Sequence, residues 1–366
     1  MAAFERARSM KAVIGLLMIV MLSGCMVRTE VVEDIYMALA MSVDVDRPGT
    51  GEGDTNSAKK EILLNLSAPL FTPSRKVEGV TFKERGATIK DTVSRINHES
   101  DQYLSISKLG IILFSKEVLR SGIGDHAEML NADPLIAGGL IYGMTEGRAE
   151  DMLRAPIHTN NQPIGRYLCY IIENNIKTFD LPPMDIHKFI YEWKGAGMDP
   201  VMPIIGYHEN RAALTGIAVM KGDKYVGQLT IEDMVPLNLM KKNTRDGSYV
   251  LLLNKNKITI QNLETKVKYE YKPGSKQFDI RLKIKGKLTQ SDLSKTLELS
   301  RAQTAFNEQM TKQCEAIIAK LQKWDADPIG IGNIIRSKDR GWNEEEWREN
   351  YRSMSIKVAI ETEMRR

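Results

Sequence analysis

Hydrophobic positions along this chain change rhythm several times, and each change predicts an element. Ile35, Met37, Leu39, Met41, Val43 and Val45 recur at every second residue, which predicts an unbroken strand over that stretch. Asp46 to Lys60 then reads as a polar hairpin tip, marked by Pro48, Gly49, Gly51 and Gly53, before a return strand carrying Ile62, Leu64 and Leu66. Thr88 is placed to cap a short helix with Ile89, Val93 and Ile96 on one face. Beyond it the pattern predicts a buried strand from Ile106 to Phe114, a helix from Lys116 to Leu130 and a strand from Ala137 to Met144. Helices follow over Glu146–Leu153, Arg166–Asn175 and Asp185–Trp193, the last two separated by Pro182-Pro183, with Asp185 as a cap. This half reads as a mixed sheet with covering helices.

Gly195 to Pro203 (GAGMDPVMP) carries two glycines and two prolines in nine residues and reads as a boundary. After it, Thr215–Met220 and Tyr225–Leu229 flank a Lys221-Gly222-Asp223-Lys224 hairpin turn, and a helix is expected over Ile231–Lys241. Strands are expected over Tyr249–Leu253, Ile258–Tyr271 and Phe278–Ile284. In the last, Phe278, Ile280, Leu282 and Ile284 alternate with Asp279, Arg281, Lys283 and Lys285, one face core and one wet. Leu293, Leu297, Phe306, Met310, Cys314, Ile317, Ile318 and Leu321 then keep helical spacing, so Asp292 to Trp324 predicts a helix about 50 Å long. Asp327-Pro328-Ile329-Gly330-Ile331-Gly332 stops it, and a short helix leads to a closing strand over Ile356–Met364. The expected class is α+β, in two parts: an N-terminal α+β domain over 25–198, and a C-terminal one over 199–366 whose largely antiparallel sheet packs on one long helix.

The earliest apolar block has no place in either part. Arg6, Arg8 and Lys11 precede an 11-residue apolar run, Ala12 to Leu22, and then Leu22-Ser23-Gly24-Cys25. As a helix the run is about 16 Å long, short of the roughly 20 residues a membrane span needs. Charge, short apolar core and small residues in that order make an export signal. Small residues directly before a cysteine are what a lipoprotein signal peptidase requires. Cleavage between Gly24 and Cys25 is therefore expected, with residues 1–24 removed and Cys25 carrying a diacylglyceryl thioether and an N-acyl chain. Several buried acyl chains anchor durably where one is marginal. No further cofactor is expected.

Composition narrows the remainder. With 42% hydrophobic and 27% charged residues the chain is an ordinary globular protein. Of the formal net charge of +4, the signal supplies +2 (Arg6, Arg8 and Lys11 against Glu5), leaving about +2 and no basic aromatic stripe for nucleic acid. Cys169 and Cys314 read as small buried hydrophobes before a disulfide.

Few residues stand in a pattern that carries chemistry. His98, His126, His158, His187 and His208 show no paired metal spacing. No GxxxxGK[ST] loop occurs, and Gly330-Ile331-Gly332 lacks both the third glycine and the preceding strand of a dinucleotide site. Ser121-Gly122 lacks the leading glycine of a nucleophile elbow. Glu344, Glu345 and Glu346 after Asn343 read as an N-cap with first-turn acids. No metal site, catalytic residue or enzyme activity is expected.

In this order of features the chain resembles the C-subunit lipoproteins of spore germinant receptors, the Ger(x)C family, over essentially its whole length. The resemblance rests on Leu22-Ser23-Gly24-Cys25 with Arg28 and Glu30 just after, and on Asp199-Pro200-Val201-Met202-Pro203. It also rests on the Gly216 to Gly227 hairpin with Gly222 at its turn, and on Asp327-Pro328-Ile329-Gly330-Ile331-Gly332 followed by Trp342, Trp347 and Tyr351. It implies that Arg28, Glu30, Pro203, Gly216, Gly222, Gly227, Asp327, Pro328, Gly330 and Gly332 serve structure or face partners. It further implies a non-enzymatic subunit tethered to the outer face of the spore inner membrane. There it would assemble with a polytopic A subunit and a transporter-like B subunit, the expected ligand holder. The rival readings are a solute-binding lipoprotein of an importer, expected to show two α/β lobes around a cleft, and a cell-wall hydrolase.

Overall fold

A computed structural model describes residues 34–46, 61–70, 78–178, 182–245, 247–253, 256–291 and 299–365. The signal, Cys25, Arg28 and Glu30 lie outside these residues, as do the expected hairpin tip from residue 47 onward and the start of the long helix.

Strands come first in the N-terminal half: β1 (Ile35–Met37), β2 (Ala40–Val45), β3 (Ile62–Leu70) and β4 (Glu78–Gly86), then α1 (Ile89–Glu99) and β5 (Tyr103–Ser105). The expected strand over 35–45 is interrupted, because the chain changes partners at two residues. Ala38 N–H donates to Ser105 O (2.9 Å) and Leu39 N–H to Ser67 O (2.9 Å). Next come β6 (Ile111–Ser115), α2 (Lys116–Ser121), α3 (Gly124–Ala132), β7 (Ile141–Thr145), α4 (Ala149–Arg154), α5 (Ile164–Lys177) and α6 (Ile186–Lys194). The helix expected over 116–130 is two helices. Gly122 turns left-handed (φ 102°), and the break receives Asp223, whose carboxylate accepts from Gly124 N–H at 2.9 Å. An α-helix cannot run through a residue in that conformation.

The remaining elements are β8 (Val201–His208), β9 (Arg211–Lys221), β10 (Lys224–Thr230), α7 (Ile231–Lys241), β11 (Ser248–Leu253), β12 (Asn256–Tyr271) and β13 (Gln277–Ser291). After them come α8 (Leu299–Trp324), α9 (Ile331–Arg336), α10 (Glu344–Tyr351) and β14 (Ser355–Arg365). Gly195–Pro203 does end α6, but its last three residues already belong to strand β8, which tolerates Pro203. The pattern also gave no sign of β4, an edge strand whose residues are mostly exposed.

One sheet has eight strands in the order β10-β9-β8-β7-β6-β2-β3-β4, and another has four in the order β11-β12-β13-β14. In the large sheet β2, β6, β7 and β8 are parallel and the outer pairs antiparallel. It therefore takes strands from both sides of the Gly195–Pro203 segment. Every residue of β6 and β7 is buried, as central parallel strands covered on both faces require. Ile89, Leu119, Leu130 and Phe189 of α1, α2, α3 and α6 cover one face. Leu153 and Leu168 of α4 and α5 cover the other.

That second core continues without a break through α7 into the four-stranded sheet, where Phe278, Ile280, Leu282 and Ile284 meet Phe306, Cys314, Ile317 and Leu321 of α8. Tyr36–Arg366 is accordingly one compact unit. The described part of α8 is about 39 Å long at 1.5 Å per residue. β14 runs parallel to β13, an exception in an otherwise antiparallel sheet, made possible by the helical crossover between them. Cys169 and Cys314 are buried free thiols, acting as small hydrophobes. The architecture is α+β, as expected.

Candidate functional site

Two Asp-Pro steps far apart in sequence meet at the end of α8. Asp199 N–H donates to Asp327 O (3.0 Å), and Asp327 N–H returns a bond to Asp199 Oδ2 at 2.8 Å. Asp199 Oδ1 also accepts from Gly222 N–H at 2.8 Å, which ties in the β9–β10 turn. Arg348 of α10 completes the set, with one guanidinium nitrogen 2.7 Å from Asp199 Oδ2 and the other 3.4 Å from Oδ1. Such a fork matches the planar guanidinium to the carboxylate. Asp199 and Asp327 are both fully buried, at 1% and 0% exposure.

Asp327 turns its own carboxylate back on the chain that follows, accepting from Gly330 N–H and Gly332 N–H, each at 2.8 Å. Burial pushes its carboxyl up to about 6, against the pull of those backbone donors, with the Asp199 charge adding to the rise. Burial alone would lower Arg348, but the bond and charge of Asp199 hold its guanidinium above the usual range.

Close packing locks the same place. A Cβ on Gly332 would overlap the Trp347 indole and stand 2.8 Å from Gly197 Cα, so only glycine lets α9 approach Gly197 this closely. Asn333 N–H donates to Gly197 O at 2.9 Å across the contact. Tyr351 Oη donates to Ala326 O (2.9 Å) and the Gln322 amide to Tyr351 O and Met354 O (2.8 Å each), binding α10 to the end of α8. Lys221 and Arg352 both pair with Asp325, the residue that turns the chain out of α8.

The knot thus gathers Gly222, Asp327, Gly330 and Gly332 from the expected residues, with Pro328 in the same turn. Pro203 and Gly216 lie apart, on β8 and β9, facing Ile217 and Ile204 across their ladder. Gly227, on β10, lies under the Trp324 indole at the end of α8. Pattern reading passed over the residues that hold the knot together, Asp199 and Arg348. Asp199 stood in one of the resemblance motifs, Asp199-Pro200-Val201-Met202-Pro203, but the Asp-Pro doublet also occurs at Asp133-Pro134 and so does not by itself mark the knot. The carboxylate oxygens of Asp199 and Asp327 all accept backbone or guanidinium N–H groups. The chemistry of the knot is that of a clamp joining β8, the β9–β10 turn, α8, α9 and α10.

Comparison with known proteins agrees in extent with this single body. Residues 28–207 match the spore germination protein N-terminal domain, and residues 215–366 match the spore germination B3/GerAC-like C-terminal family. The chain is 22% identical to spore germination protein GerQC of Bacillus cereus, over 96% of this chain and 97% of that one. It is 21% identical to YfkR of Bacillus subtilis (strain 168), over 95% and 94%. The crystal structure of the GerBC protein has the same fold, with a TM-score of 0.55 and 18% identity over 90% of this chain and 98% of that one. With both halves matched in order by family models, the chain belongs to the GerAC-like spore germination family of germinant-receptor C subunits.

Proposed function

We propose that this protein is a lipid-tethered C subunit that does its work by position. In this reading a diacylglyceryl thioether and an N-acyl chain on Cys25 hold the body at the outer face of the spore inner membrane. There it docks on the integral-membrane A and B subunits and stabilises or gates their assembly during nutrient-triggered germination. The observation that carries the reading is the match of both family models in order along the chain. The Leu22-Ser23-Gly24-Cys25 box supports the tether. Among the described residues, no helix is long and apolar enough to cross a membrane. The importer reading finds no support in the body, whose two larger sheets share one continuous core where that reading expects two lobes around a cleft.

Cys25→Ala tests the tether. The variant is expected to keep the circular dichroism of the wild type, to leave the spore membrane fraction, and to abolish the response to nutrients. Normal germination with the variant found only in soluble fractions would overturn the reading. Co-purification of the A and B subunits from spore membranes tests the assembly separately.

A further inference from the structure

α8 covers one face of the four-stranded sheet, the face of Phe278, Ile280, Leu282 and Ile284. The other face is open: the side chains of Arg281, Lys283 and Lys285 are 57%, 64% and 57% exposed. Over β12, β13 and β14 this open face is about 36 Å long, taking 3.3 Å per residue along the 11 residues of β14, and about 10 Å across.

Register decides how its charges meet. β13 presents Arg281, Lys283, Lys285 and Lys287 in a row, with Asp279 at one end. Lys266 and Lys268 of β12 stand directly opposite Lys283 and Arg281, and Arg365 of β14 stands directly opposite Lys287. Like charges directly opposite one another destabilise a sheet. Glu270 and Asp279 are the one pair of acids so placed on these strands. Local carboxylates relieve part of the repulsion: Glu264 pairs with Lys266 and Lys285, Glu270 with Arg281, and Glu361 with Lys283. Lys268, Lys287, Lys357 and Arg365 form no ion pair among the described residues. A face that meets only water gains by setting opposite charges across its strands. This one keeps cation against cation, a cost that an anionic surface outside the sheet would offset.

What the face lacks narrows that surface. Protein interfaces centre on apolar and aromatic anchors, and Ala359 is the one apolar side chain among these positions. No aromatic ring stands among them for a nucleobase to stack on. Rows of lysine and arginine without an anchor match the headgroup plane of an anionic bilayer, where each cation near the surface adds to the attraction.

We propose that the open face of β12, β13 and β14 lies against anionic lipid headgroups, with Lys268, Lys287, Lys357 and Arg365 toward the lipid phosphates. The choice of a bilayer rests on the Cys25 tether of the proposed function, which keeps one within reach. The face then sets which side of the body meets it.

The test uses the full-length chain held on vesicles by its tether. Ala359→Cys places a thiol in the middle of the face for a small fluorophore, and Leu135→Cys, at a side chain 65% exposed, is the control. Cys169 and Cys314 are buried and do not compete for the label. A lipid spin-labelled on its headgroup reports proximity by quenching. Quenching at position 359 is expected to be at least about threefold stronger on phosphatidylglycerol vesicles than on phosphatidylcholine ones. It should collapse in about 1 M salt, where the screening length falls to about 3 Å. Lys268→Gln combined with Lys287→Gln should lower the ratio of facing to free orientations by about tenfold or more, at roughly fivefold per cation. In detergent the same double variant should keep its melting temperature or raise it, because each change removes a like-charge contact across strands. A purely structural role for these lysines predicts a fall.

Equal quenching on the two lipids, quenching no stronger than at position 135, or a double variant that behaves like the wild type would each overturn the assignment. A face unquenched on both lipids would pass to an acidic protein surface and overturn it as well. Label on Cys25, or a chain that leaves neutral vesicles, marks failure of the tether instead. The face would then still show itself as flotation with phosphatidylglycerol vesicles alone, and absence of that flotation would sink this inference too.

Discussion

Arg348 is the sharpest point at which to test the clamp. Replacing it with methionine keeps the bulk of the side-chain stem but removes the guanidinium from a carboxylate whose side chain is 0% exposed. Asp199 then keeps two backbone donors, Gly222 N–H and Asp327 N–H, and faces the buried Asp327 carboxylate without the guanidinium that paired with it. Removing one partner of a buried pair costs about 3–5 kcal/mol when the other charge is stranded. Two amide donors remain and the Arg348 side chain is 24% exposed, so the expected loss is smaller, about 2–4 kcal/mol. Arg348→Lys keeps the charge and loses the fork, for an expected loss of about 1–2 kcal/mol. Pairing Arg348→Met with Asp199→Asn removes the stranded charge as well. The double variant should then be less damaged than the sum of the singles, with a coupling of about 1–3 kcal/mol. Urea unfolding of the full-length protein measures all four corners. Tryptophan fluorescence suits it, since Trp324, Trp342 and Trp347 all lie close to the knot in sequence. Coincidence with far-ultraviolet circular dichroism checks that one transition is being followed. A loss under about 0.5 kcal/mol for Arg348→Met, or strict additivity in the double variant, would refute the argument that this pair is structural.

Asp327 predicts an inverted pH dependence. Its folded carboxyl stands at about 6, above an unfolded value of about 3.9. The folded state therefore binds this proton more tightly, and the group's contribution to stability is fully present below about pH 4 and lost as pH rises through about 6. The stability difference between wild type and Asp327→Asn should fall by about 2 kcal/mol across that window. Urea midpoints from pH 4 to 8 measure it, and a flat difference speaks against the buried, raised carboxyl. Gly332→Ala places a methyl in the Trp347 indole and beside Gly197, for an expected loss of about 1–3 kcal/mol. Gly139→Ala, with nothing within 4 Å of its added methyl, is the control, and equal melting temperatures for the two would count against the packing argument.

What was legible in the sequence depended on neighbours within a turn or two. Thr88, Asp185 and Asn343 each cap a helix through a bond to an amide three residues on, at 3.1, 2.8 and 3.1 Å. α7 runs from Ile231 to Lys241, as its pattern predicted, and the structure adds a capping box at Thr230 and Asp233. The alternation of Phe278 to Lys285 shows directly as a buried and a wet face. All of these are decided by periodicity and by groups a few residues apart. The family resemblance, too, was carried by short motifs that survive without any three-dimensional knowledge.

Tertiary structure decided what no local window contains. The break at Gly122 depends on a carboxylate 99 residues away from Gly124, and the knot on an Asp199–Arg348 bond spanning 149 residues. β4 is mostly exposed, so its pairing with β3, more than any pattern of its own, makes it a strand. A backbone N–H or a buried charge takes whichever partner the closed chain delivers, and sequence spacing carries no record of partners met only after the chain has folded back on itself.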